Sequence, residues 1–154
     1  MKIVKKILLA LLVILVVLQF IRPDKNLSDQ DVTDVFETET QPNKEVVAIL
    51  ENKCYDCHSN NTEYPWYAEV APISYWLDGH IEEGKEHFNV SEWATYDLEK
   101  KEHKMEELVE EVEEDKMPES SYTWIHGNLT PDEKEKLMEW GKQVRMAYKD
   151  KMGG

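Results

Sequence analysis

The chain opens on an unbroken apolar run, and almost everything after it is polar with apolar residues at helical spacing. Lys2, Lys5 and Lys6 precede Ile7 to Leu18, and the apolar character extends through Gln19 to Phe20 and Ile21. A basic start followed by an apolar stretch marks entry into the secretory route. As a helix the run would span about 22 Å, short of the ~30 Å hydrocarbon core of a bilayer. Val16 to Arg22 holds only bulky residues and so offers no small-residue cleavage site. Residues 1–22 are therefore expected to be a retained signal anchor, with a removed signal peptide as the alternative. Lysines at the start imply an N-terminus inside and everything after Arg22 outside. That places the protein on the periplasmic face of the inner membrane, or free in the periplasm if the signal is cleaved. No cysteine lies in or just after the run, so a lipid-modified start has no support.

Residues 23–43 are polar and acidic, with Pro23 and Pro42 near the two ends and only Leu27, Val32, Val35 and Phe36 able to pack. This stretch reads as an acidic tether, with room for one helical turn. From Lys44 onward, the spacing predicts one all-α domain, residues 44–150. Val46, Val47, Ile49 and Leu50 give a short helix an apolar face that runs into Cys54. An amphipathic stretch covers Ser74–Phe88, although Gly79 and Gly84 weaken it. The clearest helix runs from about Leu98 to Lys116, with Leu98, Met105, Leu108, Val109 and Val112 on one side. Pro118 ends it, because a residue before proline is pushed out of the α region. Thr130-Pro131-Asp132-Glu133 signals a last helix through an N-cap, a proline at the first position and a glutamate three residues after the cap. Leu137, Trp140, Val144 and Tyr148 then share a face. Alternating β-branched runs and hairpin dipeptides are lacking, so no sheet is expected.

Composition narrows the function. The chain has 154 residues, 18 Lys+Arg against 32 Asp+Glu and a formal charge of −14. The first 22 residues contain no acid, so the rest is more acidic still. Such a surface repels phosphate backbones, which sets nucleic-acid binding aside. With six glycines and no glycine-rich loop, nothing cradles a nucleotide phosphate.

Both cysteines fall in Cys54-Tyr55-Asp56-Cys57-His58. Cys-x-x-Cys-His reads as a site of covalent c-type haem attachment. Two thiols three residues apart on a helical turn match the two vinyl groups on one porphyrin edge and form thioethers with them. The adjacent His58 is carried under the ring as the proximal iron ligand. Three rivals exist. A thioredoxin-like dithiol goes with a βαβ context that is missing here. Half a zinc site needs a partner motif, and no second CxxC or HxxxH pair is present. A structural disulfide would suit an oxidising compartment.

The sixth iron position has several candidates: Met117, His126, His80, His87, His103 and the remaining methionines. Met105, Met138 and Met146 read as core filler. His87 and His103 sit among Glu and Lys, as on a solvated face, and His80 reads either way. Met117 differs because it stands in Lys116-Met117-Pro118, where a helix breaks into a loop. Tyr64, Trp66, Tyr67, Trp76, Trp93 and Trp124 are first read as core. The alternative is that some of them wall a porphyrin, with Trp66 and Trp124 the first choices.

A helix leading into Cys-x-x-Cys-His, a Met-Pro loop 59 residues after His58 and a Thr-Pro-Asp-Glu-capped last helix are similar to a class I cytochrome c. More closely, Cys54–Asn60, Tyr64-Pro65-Trp66-Tyr67, Ala71-Pro72-Ile73-Ser74, Asn89-Val90-Ser91-Glu92-Trp93 and Met117-Pro118 resemble the bacterial haem-binding-domain family of small exported proteins. The resemblance spans roughly Lys44 to Tyr148. It implies an exported protein with one haem c, held by Cys54 and Cys57 with His58 as proximal ligand; the class I likeness adds Met117 as distal ligand. The class I likeness also implies first and last helices that cross, and a proline carbonyl, here Pro65 or Pro72, bonded to the second ring nitrogen of His58. His126 is the competitor of Met117.

The resulting expectation is an electron carrier rather than an enzyme. Its haem iron is closed by two protein ligands, and its acidic surface suits a redox partner with a basic docking face. A peroxidase-like enzyme or small-ligand sensor with an open or displaceable sixth site is the alternative, with His126 or His80 as its distal group. A zinc-held interaction module is the third.

Overall fold

A computed structural model describes residues 2–29 and 32–154; Met1, Gln30 and Asp31 lie outside the described residues. Among the described residues there is no strand. The helices are α1 (Lys2–Leu18), α2 (Asp34–Thr40), α3 (Lys44–Lys53), α4 (Tyr55–His58), α5 (Ile73–His87), α6 (Leu98–Glu113), α7 (Ser120–His126) and α8 (Pro131–Gly153). Two 3-10 turns, Trp66–Glu69 and Val90–Thr95, connect them. The all-α expectation therefore holds.

The predicted caps form. The Asn43 side chain accepts from the backbone N–H of Glu45 and Val46 at the start of α3. Thr130 and Glu133 make a reciprocal capping box at the start of α8. α6 and α8 lie antiparallel: Arg145 pairs with Glu102 at 2.6 Å and with Glu106, and Lys134 reaches Asp115 and the Glu113 carbonyl at the other end. Gly141 sets their spacing, since a Cβ there would stand 2.8 Å from the Val109 side chain. Met105, Val109 and Val112 of α6 are buried, as are Leu137, Trp140, Val144 and Tyr148 of α8. The α8 face matches the predicted stripe; the α6 face does so at Met105, Val109 and Val112, with Leu108 partly buried and Leu98 exposed. Met138 packs partly buried against the core, but Met146 is exposed, so the filler reading fails for that residue.

Residues 23–43 depart from the tether expectation. They include α2, and its Phe36 has no exposed surface at all. The Phe36 ring meets Trp93 edge-on at 4.9 Å between centroids, with Phe88 and Trp140 each at 6.0 Å and Tyr55 at 6.5 Å. Glu39, on the same helix, takes the Lys101 ammonium at 2.7 Å and a hydrogen bond from the Tyr148 hydroxyl at 3.1 Å. The Trp93 indole N–H donates to that hydroxyl in turn at 3.2 Å. A stretch this polar looks solvated by composition, yet its one aromatic ring is the centre of the core. The domain therefore begins well before Lys44.

α1 has no buried residue, so its apolar side chains face outward along its whole length. No helix among the described residues is long and apolar enough to cross a membrane. α7 was not expected; it follows a bend at Met117-Pro118. α6 also ends three residues earlier than predicted. The Lys116 and Met117 N–H groups both turn back to the Glu111 carbonyl, and Asp115 takes a positive φ of 56°.

Two predictions test the packing. Phe36→Ala should lower unfolding stability by roughly 3–5 kcal/mol in thermal or urea melts, as for a core aromatic; a tether residue would cost almost nothing. Burial alone would push the Glu39 carboxyl up, but its bonds and charge contact with Lys101, helped by Tyr148, hold it below the usual carboxylate value. A lowered folded pKa adds stability above the unfolded value of about 4.5 and loses it as pH falls through the folded value. The stability gap between wild type and Glu39→Gln should therefore be full at pH 7 and shrink below about pH 4.5.

Candidate functional site

The motif occupies α4 and the residue before it. Cys54 closes α3, with its N–H on the Leu50 carbonyl at 2.9 Å, and its own carbonyl accepts from the N–H groups of Cys57 and His58. This tight turn brings both thiols and the imidazole to one short piece of backbone. Tyr55 points the opposite way into the core and donates its hydroxyl to Glu37 at 3.0 Å.

His58 is fixed through one ring nitrogen. Its Nδ1–H donates to the carbonyls of Gly84 at 2.9 Å and Phe88 at 2.8 Å, at the C-terminal end of α5. With the proton held on Nδ1, Nε2 keeps its lone pair. Burial lowers the pKa of the ring against the opposing effect of those two hydrogen bonds, so it stays neutral at pH 7. These partners correct the expectation of Pro65 or Pro72. Both prolines lie before α5, whereas the carbonyls that meet the ring are at its far end.

The contact depends on Gly84. A Cβ at this position would stand 2.6 Å from the Cys57 carbonyl oxygen and 3.1 Å from the Cys57 Cβ. Sequence reasoning counted Gly84 only as a weakness in a helix. The single sequence offered no signal to tell Gly84 from Gly79, where a Cβ meets nothing within 4 Å. Other supports were also missed. Asn89, almost fully buried, donates to the Asn60 side chain at 3.0 Å, and Ser91 accepts from Asn60 N–H at 2.8 Å. The Asn26 side chain donates to the Ser59 carbonyl and to the Thr62 hydroxyl, each at 2.9 Å.

The two thiols are neutral. Burial pushes Cys54 up to about 12, with Cys57 adding to the effect and Lys53 opposing it. Burial, then Asp56 and Glu119, pushes Cys57 up to about 11. Neither is a ready thiolate for dithiol exchange at neutral pH. They are also unbridged, and no cluster of three or more His, Cys, Asp or Glu able to hold a metal ion occurs among the described residues. The dithiol, disulfide and zinc readings thus gain nothing from the geometry.

The distal candidates separate. Met117 lies on the bend after α6 with 37% of its surface exposed. Glu119, two residues on, adds to the upward push on the Cys57 thiol. His126 is engaged elsewhere. Its Nε2 meets the Tyr67 hydroxyl at 2.6 Å, its ring stacks on Tyr122 at 4.2 Å, and Lys53 holds its carbonyl. Asp56, Tyr64, Pro65, Tyr122 and His126 share an open cleft of about 440 Å³. His80 stands against Trp76, while His87 and His103 are exposed, as expected. Among the aromatics, Trp93 is core, but Trp66 and Trp124 are 81% and 85% exposed.

A covalently held haem fits this set. Two neutral thiols and a neutral imidazole with a free Nε2 stand on one turn. Trp66, Trp124, Ile125 and Met117 leave large apolar surfaces exposed. The fit rests on the donor chemistry and on the close approach at Gly84.

The model of the haem-binding domain family matches residues 13–143. No curated protein and no solved structure matches the chain. The match starts inside α1 and takes in all of residues 23–43, in line with the packing of α2.

Gly84→Ala should drive α5 off the Cys57 turn and loosen both carbonyl contacts to His58. The expected outcome is a lower melting temperature and faster hydrogen exchange at the His58 ring N–H by NMR. Gly79→Ala, where a Cβ meets nothing within 4 Å, should leave both unchanged or raise the melting temperature slightly.

Proposed function

The chain belongs to the haem-binding domain family, and we propose that it is an exported, membrane-tethered mono-haem c-type protein that passes single electrons. One observation carries this reading: an imidazole locked by two backbone carbonyls stands one residue from a neutral thiol and four residues from another. In this reading Cys54 and Cys57 would hold one haem c through thioethers, and His58 and Met117 would bind its iron. When bound, the haem supplies one-electron Fe(II)/Fe(III) chemistry.

The protein residues then have distinct tasks. Gly84 and Phe88 keep the His58 proton on Nδ1 and so direct Nε2 to the iron side. Tyr67 and Tyr122 occupy His126, which favours Met117 as the second ligand. Trp66 and Trp124 are suited to cover the porphyrin. If His58 and Met117 both bound the iron, no position on it would be left for substrate, which supports a carrier over an enzyme. The surplus of acids steers it toward a basic face on a redox partner, so association should slow as salt rises. α1, three lysines at its start and apolar side chains all outward, is the segment that would engage the membrane from the periplasmic side.

A second reading keeps one supporting observation. The Tyr67–His126 hydrogen bond beside the motif is a polar pair that an enzyme or gas sensor with a displaceable sixth ligand would use.

Protein matured in a host that attaches haem should be red, one haem heavier by mass spectrometry, and still coloured after acid-organic extraction. Colourless polypeptide at bare mass overturns both haem readings. The ferric form should show a weak long-wavelength sulfur-to-iron band, lost in Met117→Ala and kept in His126→Ala; a wild-type spectrum without the band that is altered by His126→Ala assigns the position to His126. Reduced wild type should bind carbon monoxide slowly or not at all, and Met117→Ala should bind it readily. Rapid binding by wild type favours the second reading.

A further inference from the structure

The end of α1 is fastened to the domain rather than hinged on it. The Gln19 side chain pairs with the backbone of Ala71 in both directions: Ala71 N–H donates to Oε1 at 3.1 Å, and Nε2 donates to the Ala71 carbonyl at 3.2 Å. The same Nε2 also reaches the Leu15 carbonyl at 2.8 Å, within the last turn of the helix. Two residues on, the Tyr75 hydroxyl donates to the Ile21 carbonyl. Arg22 and Lys25 both pair with Glu69. Asn26 completes the attachment. Its N–H donates to the Tyr64 hydroxyl at 2.8 Å, its carbonyl accepts from Thr62 N–H at 3.0 Å, and its side-chain oxygen accepts from Lys85 at 3.0 Å. Together these fix residues 19–26 along the segment 59–75 and one turn of α5.

An apolar group of side chains surrounds this junction. Phe20 and Ile21 are 84% and 59% exposed, and Val70 and Ile73, on either side of the clamped Ala71, are 43% and 38% exposed. They flank the Gln19–Ala71 hydrogen bonds that join their two segments at the end of α1, whose own side chains are unburied. α1 has 17 residues, about 25 Å of helix against a core of ~30 Å, so it is short for a bilayer. A short segment is accommodated by drawing flanking residues into the interface. Because Gln19 ties the flank to Ala71, the domain must follow.

We propose that Phe20, Ile21, Val70 and Ile73 form one lipid-docking surface. In this arrangement the haem domain sits directly on the bilayer, in fixed orientation, and its occupant is the interfacial layer of a lipid membrane. The proposal rests on the reading of α1 as the membrane-engaging segment and extends it from a tether to a rigid mount. Apolar groups at this level lie about 5–10 Å into the headgroup boundary. Arg22 and Lys25, held by Glu69, stand at the rim with the phosphates. A mount of this kind limits redox partners to those reaching the same membrane surface.

Lipid-borne crosslinking tests it. The full chain would be reconstituted in phosphatidylcholine vesicles containing a phosphatidylcholine with a photoactivatable diazirine near the glycerol backbone, and adducts mapped by mass spectrometry. Adducts are expected on α1 and on Phe20, Ile21, Val70 and Ile73. Val35 and Leu98, 44% and 41% exposed but away from the junction, should be labelled several-fold less. Adducts on α1 with none on Val70 and Ile73, or equal labelling of Val35 and Leu98, overturn the docking surface and leave the anchor standing. No adducts on α1 would remove the anchor and the docking surface together.

Discussion

The hydrogen bonds from His58 Nδ1 to the carbonyls of Gly84 and Phe88 organise the site, and they exist because position 84 has no side chain. With a methyl group there, α5 could not lie against the Cys57 carbonyl, and the ring would lose the groups that choose its tautomer. The turn of α4 brings the thiols and the imidazole into one place, but it does not by itself decide which ring nitrogen is free. That decision comes from a helix 26 to 30 residues away in sequence. Orientation of a ligating imidazole by a backbone carbonyl is a general way of fixing its direction and basicity. Using two carbonyls from one helix end ties the His58 ring to the end of α5.

The same economy extends to the junction with the core. Phe36 packs on Trp93, Phe88, Tyr55 and Trp140, so the ring next to His58 and the one behind the motif are both held by a residue from the acidic stretch. Asn26 then joins that stretch to the loop just after His58. The segment before Lys44 thus buttresses the site from behind and from the side. Hydrogen bonds from Gln19 and Asn26 join the end of α1 to the segment that follows the Cys54–His58 turn, so the proposed membrane mount and the proposed electron transfer bear on each other. The distance and angle between the haem and the bilayer would be set by hydrogen bonds rather than by a flexible chain.

Much of the architecture was legible from pattern. The stripes of α6 and α8, the capping box at Thr130 and the core role of Met105 follow from 3.6-residue periodicity and local backbone chemistry, which need no knowledge of neighbours. Residues 23–43 misled because burial was inferred from average polarity. A single Phe36 and a single Glu39–Lys101 pair outweigh that average once α6 and α8 supply their partners. The break at Met117-Pro118 was expected, but α7 beyond it was missed for a related reason. Its course is set by Lys53, Asn52 and Tyr67 reaching across to His126 and Tyr122 from far upstream.

Sequence by itself determined the chemistry on offer: two cysteines and a histidine at a spacing that one helical turn brings together, an apolar start with lysines before it, and a helical chain rich in acids. Spacing along a chain encodes that much because it acts through local backbone geometry. Tertiary structure alone decided which nitrogen of His58 is free, that His126 is held by tyrosines, that Gly84 is a contact surface and that the apolar helix is fastened to the domain. Each of these depends on groups dozens of residues apart meeting at hydrogen-bond distance, and only the packing of helices fixes such meetings.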